Sequence, residues 1–376
     1  MRLNVDGLGL VFASMLALSA CNSADDRNES QRDASVADMA VMDSSTADST
    51  TPNSDGATAA DAGGASDTGQ REDAAVVADS GATEVDGAAP APTGELVISR
   101  DVDYPPPEGV VSDMAKMDIY RRDDGVVRPL MFFVHGGSWV GGDKGGIERR
   151  IAPWWVDQGY VVAGVNFRLA SRLRQSREVL PRDQAQDIAA ALAHILSQAD
   201  TYQIKADEVV VVGYSSGAHL VALLGTDERI LRNAGVNETH VRGTISLDVH
   251  AYDVPYALEL MVGSVVEGNM PLIRHLFGET EAEQLEGSPI NFVDGWASPA
   301  LVISVDADPA EQGTHGYIVS RAAERYITAL REAGHQADTL HDESETHSTL
   351  VGGFGEAGDL TTEATLRFIE SIVPAP

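Results

Sequence analysis

Gly213-Tyr214-Ser215-Ser216-Gly217 follows a run of four valines, Val209 to Val212, and leads into the apolar stretch Ala218-His219-Leu220-Val221. A serine bracketed by glycines in this setting sits on a tight turn from a strand into a helix. The glycines remove side chains that would clash there, and the hydroxyl is left exposed. The chemistry open to such a group is nucleophilic attack, because the helix that follows aims its first amides where negative charge will develop. Ser215 is the candidate nucleophile.

A second signal lies upstream. The apolar run Leu130 to Val134 ends in His135-Gly136-Gly137-Ser138-Trp139 and continues through Gly141-Gly142-Asp143-Lys144. Glycines at a strand end let main-chain N–H groups approach a carbonyl oxygen closely. Gly136 and Gly137 are the expected oxyanion donors, with the amide of Ser216 as a third. His135 stands beside those donors at the strand end and is read as a brace for the loop, not as a base.

The elements that must position these groups alternate along the chain. Leu96 to Ser99 and Lys116 to Tyr120 are short strand candidates on either side of Pro105-Pro106-Pro107. Leu130 to Val134, Tyr160 to Val165, Glu208 to Val212, Val241 to Leu247 and Ala300 to Val305 are Val-, Ile- or Phe-rich runs of the kind that form buried parallel strands. Asp183 to Ala199 and Val319 to Ala333 carry helical periodicity, the latter stopped by Gly334. The expectation is an α/β fold with a mostly parallel central sheet flanked by helices. Residues 253–291 are longer than a simple connection and are expected to form a small cap over the pocket.

The stretch H-G-G-x-W-x-x-G-D-K at 135–144, Asn166-Phe167-Arg168-Leu169 and the elbow G-Y-S-S-G-A-H-L at 213–220 together resemble the α/β-hydrolase carboxylesterases. More narrowly, they resemble the branch related to hormone-sensitive lipase, bacterial feruloyl esterases and kynurenine formamidases. The resemblance spans roughly residues 95–370. It implies the α/β-hydrolase fold, the chain order nucleophile, acid, histidine, and no metal or organic cofactor. The acid is then expected after the strand Ala300 to Val305, in Asp306-Ala307-Asp308-Pro309. The family's His-Gly-x-x-Asp pattern places it at Asp308, with Asp306 as rival, although this chain has Ser304-Val305 where His-Gly would stand. The base is expected at His347, ahead of His335 and His341. The catalytic set so implied is Ser215, Asp308 and His347, acting on a small-molecule ester. An amide-directed relative such as a formamidase, or a retired hydrolase serving as a binding protein, are the alternatives.

Charge and the lone cysteine bound the rest. The net charge is −32, with 15 acids against 3 bases between residues 22 and 94 alone. Such a surface lacks the clustered Lys and Arg that nucleic acid requires. Residues 1–20 read as an export signal, and Leu18-Ser19-Ala20-Cys21 resembles a bacterial lipobox, which implies acylation of Cys21. Residues 21–94 are Ala-, Asp- and Ser-rich without a hydrophobic period, and are expected to act as an unfolded tether. The folded domain is expected over 95–376. The protein is accordingly expected to be exported and held by a lipid anchor at the outer membrane or cell surface.

Overall fold

A computed structural model describes residues 92–110, 112–171 and 177–373. Cys21 and the segments expected to be signal and tether, up to residue 91, lie outside the described residues. No described helix is long and apolar enough to cross a membrane.

Eight strands form one sheet: β1 (Leu96–Asp103), β2 (Lys116–Arg122), β3 (Arg128–Val134), β4 (Val161–Val165), β5 (Ile204–Tyr214), β6 (Val241–Leu247), β7 (Ala300–Val305) and β8 (Ala337–Asp342). Their spatial order is β1-β2-β4-β3-β5-β6-β7-β8. β1 and β2 pair antiparallel at one edge, β2 also meets β4 antiparallel, and every later pairing is parallel. The expected mostly parallel α/β architecture is the one observed.

Two apolar layers explain why the central strands read as unbroken hydrophobic runs. Phe132, Val134, Val209 and Val211 face one layer, and Met131, Phe133, Val210 and Val212 face the other. This is the two-residue alternation of a strand, with both faces covered. The first layer is filled by Ile188 and Leu192 of the helix Pro181–Ser197, by Leu220 and Val221 of Ser216–Leu224, and by Tyr326 of His315–Glu332. Trp155 of Ile151–Asp157 and Phe368 of Leu360–Ile372 fill the second.

One boundary matters for the site. The helix expected from Val319 begins a full turn earlier, at His315, because the Thr314 hydroxyl accepts a hydrogen bond from the Tyr317 N–H and caps it there. The long connection after β6 folds into three short helices, Val254–Met261, Met270–Phe277 and Glu281–Glu286. Asp253 caps the first, and Thr280 and Glu283 form a reciprocal capping box on the third.

Candidate active site

β5 ends at Tyr214, and Ser215 takes φ 55° and ψ −126°, a left-handed backbone that few side chains adopt. The turn survives because its neighbours over-determine it. The Ser215 N–H donates to the Leu247 carbonyl at 2.8 Å, and the helix Ser216–Leu224 starts at once. A Cβ on Gly217 would lie 2.4 Å from the Val134 carbonyl oxygen, so only glycine lets this helix press against the end of β3.

The glycine loop after β3 comes equally close. A Cβ on Gly136 would stand 2.9 Å from both Ser215 Cβ and the Tyr214 carbonyl oxygen. Among the described residues, the amides of Gly136, Gly137 and Ser216 donate to no main-chain carbonyl. The structure thus brings Gly136 against Ser215, with Gly137 and Ser216 as the next residues of the two chains that meet there. His135 faces the other way, with Nδ1 2.8 Å from the Gly136 carbonyl oxygen and its ring stacked on Phe167 at 4.4 Å. Burial lowers its pKa below the ordinary histidine value, so it braces the loop as a neutral ring.

The motif residues around this loop hold it in place. The Lys144 ammonium lies 2.9 Å from the Asp101 carboxylate and 2.9 Å from that of Asp118. The Lys144 main-chain N–H donates to Asn166 Oδ1 at 2.6 Å, and Asn166 Nδ2 donates to Asp143 at 2.9 Å. Arg168 forms a forked pair with the buried Asp187 at 2.7 and 2.8 Å. Gln184 donates to the carbonyls of both Trp139 and Arg168. The Trp139 indole donates to His219 Nδ1 at 3.2 Å, so His219 Nε2 carries the proton and donates to the Gly287 carbonyl at 2.8 Å. Phe277, from the second helix of the insertion, packs edge-on against Trp139 and His219. The insertion is thereby tied to the wall of the site.

His347 enters from the loop after β8. Its Nε2 is 3.1 Å from Ser215 Oγ, and its Nδ1 is 2.5 Å from Asp248 Oδ2. A carboxylate only accepts, so Nδ1 carries the ring proton and Nε2 is left to accept from the serine hydroxyl. Tyr214 stacks on the ring at 5.0 Å, and its hydroxyl donates to the His347 carbonyl.

The carboxylate at His347 is therefore Asp248, and the expectation of Asp308 is corrected. Asp308 is exposed, and among the described residues its side chain has no hydrogen bond or ion pair, while its carbonyl accepts from the Thr314 hydroxyl. Asp248 stands directly after β6 at φ 56°, fully buried, with Oδ1 accepting the Val305 N–H at 3.1 Å. Sequence reasoning missed it, although an aspartate immediately after the apolar run Val241 to Leu247 was a signal of the same kind as Asp306 after β7.

The rivals have other partners. Asp306 Oδ2 lies 2.5 Å from His315 Nδ1. His335 bonds the Val293 carbonyl, and His341 lies between the Ser304 hydroxyl and the Asp306 carbonyl. Two further histidines near the site were also missed. His315 Nε2 is 3.7 Å from Asp248 Oδ2. His250 is half-buried with its Nε2 shielded from solvent, and burial depresses its pKa to about 4.

Comparison with known proteins places this geometry. The BD-FAE family matches residues 117–314, more than half of the chain. Among curated relatives, Esterase LipC of Mycobacterium tuberculosis is 30% identical over 111 residues, covering 29% of this chain and 26% of its own. Esterase LipQ of the same organism is 24% identical over 228 residues, covering 58% of this chain and 50% of its own. The chain thus spans half or less of the length of these two relatives. Among solved structures, Esterase B from Lactobacillus rhamnosis superposes with a TM-score of 0.57 at 19% identity, over 75% of this chain and 87% of that one. The chain belongs to the BD-FAE family of the α/β-hydrolase carboxylesterases.

Proposed function

We propose that the chain hydrolyses small-to-medium carboxylic esters through an acyl-enzyme, with Ser215 as nucleophile, His347 as base and Asp248 as the orienting acid. The observation that carries this reading is the continuous chain from Ser215 Oγ through both nitrogens of His347 to a buried carboxylate, at 3.1 and 2.5 Å. As Ser215 Oγ attacks the carbonyl carbon, its proton passes to His347 Nε2. Asp248 fixes the tautomer and balances the imidazolium. The amides of Gly136, Gly137 and Ser216 receive the oxyanion. Collapse of the tetrahedral species expels the alcohol, which takes the proton from His347. Water then attacks the acyl-serine, giving a proton to His347; collapse breaks the acyl–Oγ bond, Ser215 Oγ takes that proton back from His347, and the acid leaves.

The acidic composition disfavours anionic esters, so the substrates proposed are uncharged or modestly polar. The cysteine at position 21, after Leu18-Ser19-Ala20, supports the further proposal of an exported, lipid-anchored enzyme. Initial rates on 4-nitrophenyl acetate, butyrate and octanoate, set beside an N-formyl anilide, test the activity. Ester turnover well above that of the formamide is expected. Formamide turnover exceeding that of all three esters would overturn the ester assignment in favour of an amide-directed enzyme.

A further inference from the structure

The buried Asp248 presents a charge problem. Its carboxylate is shielded from solvent, and a buried charge must be paired or it costs several kcal/mol. His347 donates its Nδ1–H to it at 2.5 Å. The Val305 N–H supplies a dipole only. Among the described residues, the remaining ion-pair partner is His315, the first residue of its helix, at 3.7 Å from the same oxygen that His347 uses.

His315 has a carboxylate oxygen at each ring nitrogen, Asp306 at Nδ1 and Asp248 at Nε2. Both oxygens can only accept. Asp306 is within hydrogen-bond distance of Nδ1, and Asp248 at 3.7 Å is within ion-pair range of Nε2, so the two carboxylates together favour the doubly protonated ring. Asp306 is itself tied to the loop of His347, since its main-chain N–H donates to the Glu345 carbonyl at 3.0 Å.

We propose that Asp306 and His315 form a second carboxylate–imidazole pair behind the catalytic one, in which His315 is the fixed counter-cation of Asp248 and a positioning residue for His347. This inference rests on the ester-hydrolase reading above. His315 touches no reacting atom, and it acts through Asp248.

The surrounding groups support this charge state. Burial opposes a charge on His315, but the hydrogen bond to Asp306 and the charges of Asp248 and Asp306 outweigh it and raise its pKa. His250, on the loop after β6, is held neutral by burial. His341 on β8 hydrogen-bonds Ser304 Oγ and the Asp306 carbonyl. Tyr214, the last residue of β5, is kept in its phenol form by burial. Asp308 and Glu311, in the turn before the helix, make main-chain contacts with Thr314. The His315 and His347 rings are 5.4 Å apart, so a cation on the first opposes proton uptake by the second.

The test is the pH profile of kcat/KM for the full chain and for His315→Gln. Without the cation, Asp248 and Asp306 both favour a protonated His347. The acid limb should therefore move to higher pH by about half a unit or more. A purely structural role would lower the plateau and leave the limb in place, and a limb that overlays the wild type overturns the inference. Nitrogen-15 histidine NMR of the wild type provides a measurement that needs no variant. His315 should stay protonated above the pH at which an ordinary histidine loses its charge, and titration at or below that pH overturns the proposal. Ser215→Ala separates the two levels. Retained turnover in that variant removes the hydrolase reading itself, whereas a dead Ser215→Ala with an unmoved His315→Gln profile removes this inference alone.

Discussion

His347 Nδ1 lies 2.5 Å from Asp248 Oδ2, across 99 residues of sequence, while Asp308 points into solvent. Asp248→Asn should therefore keep the fold and lower kcat by roughly 10²- to 10⁴-fold, because the ring loses its tautomer control and its counter-charge. Asp308→Asn should stay within a few-fold of wild type. Turnover of both variants on one ester under identical conditions checks this, and a larger loss at Asp308 would reverse the assignment.

The contrast between these aspartates shows what a sequence carries and what it does not. Ser215, Gly136 and Gly137 were legible because each is fixed by its immediate neighbours, through a strand end and a glycine whose missing side chain is needed there. His347 was legible from its place before the last helix. The acid was not. β6 and β7 lie side by side and each is followed directly by an aspartate, Asp248 and Asp306. Which of them reaches the imidazole depends on how the loop after β8 drapes across the sheet. That draping rests on long-range contacts such as the hydroxyl of Tyr214 on the His347 carbonyl. His315 was hidden for a similar reason, since its helix was expected to begin four residues later.

Tyr214 should be measurable as a support for His347. Tyr214→Phe keeps the stacked ring and removes only the hydroxyl that donates to the His347 carbonyl. A stability loss of about 1 kcal/mol and a several-fold fall in kcat are expected, with KM nearly unchanged. Chemical denaturation and steady-state kinetics on the same preparation test both effects, and an increase in KM alone would assign Tyr214 to substrate binding.

Gly217→Ala should damage stability and activity together. The added methyl would sit 2.4 Å from the Val134 carbonyl oxygen and 2.6 Å from that of His135, forcing the elbow away from β3. Overpacking of this kind costs about 1–3 kcal/mol. Thermal unfolding should show a clear loss of midpoint, accompanied by a steep loss of turnover. Wild-type stability in this variant would mean that the helix does not press on the strand as described.

Acid should weaken the fold through two histidines, the buried His219 and the half-buried His250. Burial lowers the pKa of His219 and of His250 from 6.5 to about 4. Between those values the unfolded chain binds protons that the folded chain refuses. Stability therefore falls as pH drops from 6.5 toward 4, by up to ~1.4 kcal/mol per pH unit for each ring. His219→Gln should flatten the slope of unfolding free energy over this window. An unchanged slope would show that His219 does not contribute to it.

The central claim is that Ser215 is a nucleophile activated by His347, and active-site labelling tests it most directly. A fluorophosphonate probe incubated with the purified chain should attach to Ser215, located by peptide mass spectrometry, and ester turnover should fall in step with labelling. Ser215→Ala should take up no probe and keep no more than a few per cent of turnover, and His347→Ala should label slowly, with turnover down on the order of 10³-fold or more. Labelling at another residue, or a Ser215→Ala variant that still hydrolyses esters at the wild-type rate, would contradict the account.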